Sequence, residues 1–162
     1  MNTYQFATEI LAGQLWLGGY LEADDIHWLH ENHIGAIVAC AKENSEPIYP
    51  QLFGEYDKGY LYLRLEDAPS YSDKNNISAK IKKATAFINT RINEGKTVYV
   101  HCLAGVNRSA TVVISYLIQY QGMSFMDAIR FVELKRNIKL AGLHIDILTF
   151  QTCPVPLGRF LS

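Results

Sequence analysis

Thr97-Val98-Tyr99-Val100-His101-Cys102-Leu103-Ala104-Gly105-Val106-Asn107-Arg108-Ser109 is the stretch on which the reading of this chain turns. Its first residues are apolar and predict a short, central and buried strand from Lys96 to His101. Arg108 to Tyr120 is mostly apolar and predicts a helix packed beneath the loop. Five residues separate Cys102 from Arg108. A strand that ends in a tight loop and feeds a helix aims successive backbone N–H groups at one point, and the helix N-terminus adds partial positive charge there. A phosphate dianion fits such a cradle, built from the backbone of Leu103, Ala104, Gly105, Val106, Asn107 and Arg108. The same field favours a thiolate at the mouth of the loop. The planar guanidinium of Arg108 can hold two equatorial phosphate oxygens. The residues therefore point to Cys102 as a nucleophile for phosphorus.

Each residue also has a plainer reading. Free cysteines are often buried and inert, and Arg108 by itself would be a surface helix arginine. It is their pairing across this loop that separates them from that background. Gly105 suits a loop that folds around an anion, which needs positive φ or close backbone approach. Ser109 lies in the first helical turn. Its hydroxyl either bonds the sulfur and helps it leave, or caps the helix, and the two roles are compatible. His101 is expected to orient the loop through hydrogen bonds, since a thiolate needs no base.

Working outward, 162 residues suit one domain with a real core. The expected domain is 1–162, with its core at about 8–151 and a tail at 152–162. Hydrophobic residues make up 49% and charged residues 19%, with a net charge of -1. That charge offers no basic field for nucleic acid or anionic membrane. Cys40, Cys102 and Cys153 are an odd number, widely spaced, which argues for a reducing compartment rather than a disulfide framework. Met1 to Ile10 lacks a signal pattern, and no apolar run reaches transmembrane length. The expectation is a soluble intracellular protein, in the cytoplasm or nucleus.

Leu15 to Gly18 predicts a short strand, Glu22 to Asn32 a helix and Gly35 to Cys40 a hydrophobic strand. Ala41 to Lys58, with Pro47, Pro50 and Gly54, reads as a loop. Gly59 to Leu65 alternates tyrosine and arginine against leucine, a strand pattern. Asp67 to Asn76 reads as a loop. Ile77, Ile81, Ala84 and Ile88 then recur at helical spacing, in a helix that ends near Gly95. Ser124 with Asp127 resembles a capping box that opens a helix to about Arg136, and Leu143 to Gln151 is a last short helix. Alternating strands and helices predict an α/β domain with a central mixed, mostly parallel sheet flanked by helices. His27, His30 and His33 fall at three-residue steps, a spacing that drifts around a helix. They read as surface histidines, and no metal site is expected.

The loop resembles the Cys-x5-Arg-Ser/Thr signature of the cysteine-dependent protein phosphatases. Val100-His101-Cys102 through Arg108-Ser109-Ala110-Thr111 is most similar to their dual-specificity branch, poxvirus-type members above all. Ile10 to Gly18, Ile34 to Ala41, Tyr62-Leu63-Arg64-Leu65-Glu66-Asp67, Ser115 to Ile118 and Met123-Ser124 extend the resemblance over residues 8–151. It implies the cysteine-phosphatase fold, a cysteinyl-phosphate intermediate, phosphorylated protein substrates and no cofactor. Alkoxide leaving groups need a general acid. Asp67, directly after the strand and at the family's acid position, is the choice, on a mobile loop from Asp67 to Ser70. Glu66 and Asp73 are its competitors.

Two departures stand out. Asn107 replaces a common serine, as it does in poxvirus-type enzymes and in the RNA 5′-triphosphatases of the same superfamily. Those RNA enzymes usually carry other residues where this chain has Leu103-Ala104 and Ser109-Ala110, so an RNA triphosphatase or diphosphatase is the alternative. Further on, Arg136-Asn137-Ile138-Lys139-Leu140-Ala141-Gly142-Leu143 lacks the family's Pro-Asn before the glycine. The asparagine of that pair helps brace the signature loop, so another group must do so here. A binding-only pseudophosphatase is the third reading, against which stand the retained Cys102, Arg108 and Asp67. The neutral loop interior speaks against polyphosphoinositides. The compact chain implies a shallow pocket, open to phosphoserine and phosphothreonine as well as phosphotyrosine.

Overall fold

The computed structural model describes residues 4–44, 50–54 and 58–151. Strands β1 (Thr8–Leu11), β2 (Leu15–Gly18), β3 (Ile34–Ala41), β4 (Tyr60–Leu65) and β5 (Thr97–His101) form one sheet in the order β1-β2-β5-β3-β4. Only the β1–β2 hairpin is antiparallel; β5 runs parallel to both β2 and β3, and β3 to β4. The mixed, mostly parallel α/β arrangement expected from the alternation of elements is the one observed. β5 lies at the centre with all five residues buried.

Period-two alternation sends side chains to two different layers. Leu15, Leu17, Val38, Cys40, Leu61, Leu63, Leu65, Val98, Val100 and Cys102 face the larger core. It is closed by helices α4 (Lys74–Asn93), α5 (Arg108–Gln121), α6 (Phe125–Glu133) and α7 (Gly142–Thr149). Tyr99 and Ile37 face the other side, where Ala23, Leu29, Trp16 and Trp28 cover them. α5 is enclosed by sheet and helices, and every residue from Arg108 to Ile118 is buried. That explains why its sequence is apolar all round rather than striped.

Several boundaries differ from the sequence expectation. The helix predicted over Glu22 to Asn32 is two helices, α1 (Tyr20–Ala23) and α2 (Ile26–Glu31). Asp25 adopts extended backbone between them, and its carboxylate accepts from His27 N at 3.0 Å and Trp28 N at 3.1 Å. An aspartate serving as N-cap starts a new helix and cannot lie inside an old one. The loop predicted over Ala41 to Lys58 contains a helical turn, α3 (Pro50–Phe53), whose Phe53 is buried on the smaller core. The Asp67–Asn76 loop is shorter than expected, because a 3-10 turn at Tyr71–Asp73 leads straight into α4 at Lys74. Ser124 does cap α6, accepting from Asp127 N at 3.1 Å, and the helix stops at Glu133 rather than near Arg136.

Pro47, Cys153 and the whole tail at 152–162 lie outside the described residues. Among the described residues no helix is long and apolar enough to cross a membrane. Nor do three or more His, Cys, Asp or Glu residues cluster there as metal ligands; His27 and His30 sit on α2 and His33 follows it in left-handed backbone (φ 55°).

Candidate active site

β5 delivers Cys102 to the loop, and the loop closes at Arg108, the first residue of α5. Its shape follows from where its carbonyls go. Leu103 O accepts from Tyr20 N at 3.2 Å, Val106 O from Lys139 N at 2.8 Å and Asn107 O from Thr111 N at 2.8 Å. Arg136 takes the two between, with Nε 2.7 Å from Gly105 O and an Nη 3.0 Å from Ala104 O. Each trans peptide points its N–H opposite to its C=O. With the carbonyls of residues 103–107 bonded outward, the amides of residues 104–108 face the centre, the arrangement an anion needs.

Arg136 is the brace that the missing Pro-Asn pair left open. It is buried, and it also donates to Phe6 O at 2.6 Å and to Thr8 Oγ1 at 3.1 Å, tying the loop to the N-terminal segment. No local pattern announces this role, because an arginine just past a helix looks solvated unless one knows what surrounds it. Gly105 is required twice over. Its φ is +69°, and a Cβ there would come within 2.5 Å of Gly18 backbone and 2.6 Å of the Arg136 guanidinium.

Cys102 is buried, and its Sγ lies 3.3 Å from Gly105 N and 3.1 Å from Ser109 Oγ. The Ser109 hydroxyl reaches Gly18 O at 3.4 Å as well. The N-cap of α5 is Asn107, without a side-chain capping bond, so Ser109 is placed at the sulfur rather than as a cap. The β3–β5 register pairs Ala39 with His101, and Cys40 and Cys102 are the next residues along the two chains, both buried in the larger core. Burial, and after it the Cys102 charge, hold the Cys40 thiol well above its usual range.

Arg108 is also buried, at 3% exposure. One Nη donates to Glu43 Oε2 at 2.7 Å and to Leu65 O at 3.0 Å. Among the described residues its Nε has no hydrogen-bond partner; it stands 3.5 Å from Asp67 Oδ1. Glu43 was invisible in sequence because it belongs to the segment read only as loop. Asp67 is exposed at the rim and is not free: Asn107 Nδ2 donates to its Oδ1 at 2.9 Å and to its carbonyl at 3.0 Å. The segment predicted to be mobile is thus tethered at its first residue. Leading into it, the β3–β4 register shifts between Ala39 and Ala41, and Arg64 takes φ +55°. A bulge of this kind re-aims the residues that follow. Of the competitors for Asp67, Glu66 pairs with Lys42 Nζ at 3.2 Å, and Asp73 is the N-cap position of α4.

His101 lies in the strand, its ring stacked on Tyr99 at 5.5 Å between centroids and its Nδ1 3.3 Å from Cys102 O. Burial lowers its imidazole from 6.5 to about 4. The unfolded chain therefore binds a proton that the native state refuses. The stability this contributes is complete above pH 6.5 and is lost as pH falls towards 4, on the order of 3 kcal/mol at the limit. Thermal midpoints measured from pH 7 to pH 4 should fall, and less steeply in His101→Gln. His144, lowered in the same direction by burial, keeps part of the slope in that variant. Parallel curves for the two proteins would show that His101 does not titrate this way.

The family model for the dual specificity phosphatase catalytic domain matches residues 15–149. The chain is 37% identical over 129 residues to MAP kinase phosphatase with leucine-rich repeats protein 3 of Dictyostelium discoideum, covering 80% of this chain and 14% of that protein. It is 33% identical over 129 residues to dual specificity protein phosphatase 22 of Xenopus laevis, covering 80% of this chain and 56% of that protein. The chain thus spans well under two thirds of either relative. Among solved structures, that of the Cydia pomonella PTP-2 phosphatase matches with a TM-score of 0.75 at 27% identity, covering 91% of this chain and 89% of that one. A signature loop on a central parallel strand, a fold shared with solved phosphatases and a family match from β2 to α7 agree: the chain belongs to the dual specificity phosphatase catalytic-domain family.

Proposed function

We propose that this protein hydrolyses phosphotyrosine and phosphoserine or phosphothreonine in protein substrates through a cysteinyl-phosphate intermediate, with residues 8–151 as one catalytic unit. The observation that supports the reading is Cys102 Sγ accepting from Gly105 N at 3.3 Å in a loop whose carbonyls from Leu103 to Asn107 bond outward, with Arg108 Nε and Asp67 Oδ1 3.5 Å apart beside it. Cys102 Sγ attacks phosphorus while the bond from phosphorus to the leaving oxygen breaks, and protonated Asp67 gives its proton to that oxygen. The inward amides and the Arg108 fork hold the equatorial oxygens as charge develops. In the second step Asp67 carboxylate takes a proton from water, the water oxygen bonds to phosphorus, and the S–P bond breaks. The Ser109 hydroxyl, 3.1 Å from the sulfur, stabilises the departing thiolate.

The mechanism calls on no metal or cofactor, so turnover should be unaffected by a chelator and inhibited by vanadate. The purified protein should release phosphate from aryl phosphates and from both phosphotyrosine and phosphothreonine peptides. Release from triphosphorylated RNA alone would favour the RNA reading, and binding without turnover the pseudophosphatase. Asp67→Asn should slow phosphothreonine hydrolysis by about 100-fold or more, and an aryl ester with a good leaving group by less than about tenfold. Equal losses on the two substrates would remove Asp67 as the acid.

A further inference from the structure

Asn107 uses every hydrogen-bonding position of its side chain. Nδ2 donates twice to Asp67, and Oδ1 accepts from Ala141 N at 2.8 Å and from His144 Nδ1 at 2.8 Å. The amide orientation follows from its partners. A backbone N–H can only donate, so the atom facing Ala141 is the oxygen, and the NH2 group therefore faces Asp67. The same oxygen fixes the histidine: Nδ1 must carry its hydrogen. His144 is completely buried, and its Nε2 has no hydrogen-bond partner. Among the described residues its ring makes one hydrogen bond, to Asn107, so the ring is placed to hold that amide. Ala141 has no side chain that could do this work. The asparagine that links loop and acid stands on the loop itself, and α7 supplies its two donors.

We propose that Asn107, locked by His144 and the Ala141 amide, is the positioning residue for the general acid. It docks Asp67 over the sulfur before substrate arrives and determines how well poor leaving groups are expelled. With Oδ1 accepting from Asn107 and facing Arg108 Nε, Oδ2 is the oxygen left to carry the transferable proton. This rests on the reading of Asp67 as the acid, and the test separates the two.

The readout is kcat/KM over a series of aryl phosphates of rising leaving-group pKa, extended by a phosphothreonine peptide. Asn107→Ser, too short to span both partners, should slow the phosphothreonine peptide by about tenfold or more beyond whatever it costs p-nitrophenyl phosphate. In the Asp67→Asn background the same change should add no loss specific to the phosphothreonine peptide. His144→Leu should steepen the leaving-group dependence in the same direction, and His144→Asn, whose amide NH2 can stand where Nδ1–H stood, should restore it. Vanadate inhibition, which reports the loop, should change less than about threefold in His144→Leu and His144→Asn, whose substitution lies outside the loop. Three results would overturn the proposal: equal losses on both substrate classes, a further loss specific to the peptide in the Asp67→Asn background, or vanadate affinity falling in step with rate in the His144 variants. If Asp67→Asn itself shows no leaving-group dependence, the acid assignment fails first and the positioning role with it. If Asp67→Asn shows that dependence and Asn107→Ser does not, only the positioning role fails.

Discussion

Cys102→Ser is expected to lower turnover by at least about four orders of magnitude while phosphopeptides still bind. The substitution is nearly isosteric, so the ring of amides and Arg108 stay in place. What is lost is the sulfur nucleophile of the proposed mechanism, and a hydroxyl oxygen is the weaker nucleophile in its place. A serine hydroxyl needs a base, and none stands at this position. His101 turns its Nδ1 to the Cys102 carbonyl rather than to the sulfur, and burial keeps its ring neutral. Asp67 is held by Asn107, which donates to its Oδ1 at 2.9 Å, and stands beside Arg108. Ser109 offers only a hydroxyl. Single-turnover assays and calorimetric titration with one phosphotyrosine peptide would separate chemistry from binding. Residual turnover above about 1% of the parent would exclude Cys102 as nucleophile.

Arg108→Lys should cost about 1,000-fold in kcat/KM and, unlike Cys102→Ser, weaken vanadate inhibition in parallel. Arg108 is held at its Nη by Glu43 and Leu65 O, so the rest of the fork is aimed before substrate arrives. Its buried Nε has no hydrogen-bond partner among the described residues, and in the proposed mechanism a phosphate oxygen would be its acceptor. Lysine keeps the charge but not the planar pair of donors, and it cannot satisfy Glu43, Leu65 O and phosphate at once. Far-UV circular dichroism would confirm that the fold is retained. A loss below about tenfold would show that charge suffices and that the fork geometry is not used.

The parts of the fold that were legible are those governed by local spacing. β4 could be read because Leu61, Leu63 and Leu65 alternate, and α4 because Ile77, Ile81, Ala84 and Ile88 share a face. The break between α1 and α2 was in principle readable, since Asp25 is a good N-cap, but two short helices in near-continuous register resemble one. The turn at Pro50–Phe53 owes its place to Phe53 packing on the sheet. No pattern within that segment announces such a contact.

For the site, the sequence by itself determined a strand, a five-residue loop and a helix, with a cysteine and an arginine at the loop's ends. Those residues are neighbours in the chain, and a strand feeding a helix has few ways to fold between them. Tertiary structure alone decided who holds the loop and the acid. Arg136 reaches Gly105, His144 and Ala141 reach Asn107, Asn107 reaches Asp67, and Glu43 reaches Arg108. The partners in each of these links lie between 31 and 65 residues apart in the chain. A hydrogen bond depends on distances of a few tenths of an ångström, and packing of the sheet and helices sets those distances. The asparagine inside the loop was visible as a departure, and the missing brace was visible as a gap. That the loop's own asparagine meets the gap from the other side, with Arg136 beside it, became apparent only once α5 and α7 were packed together.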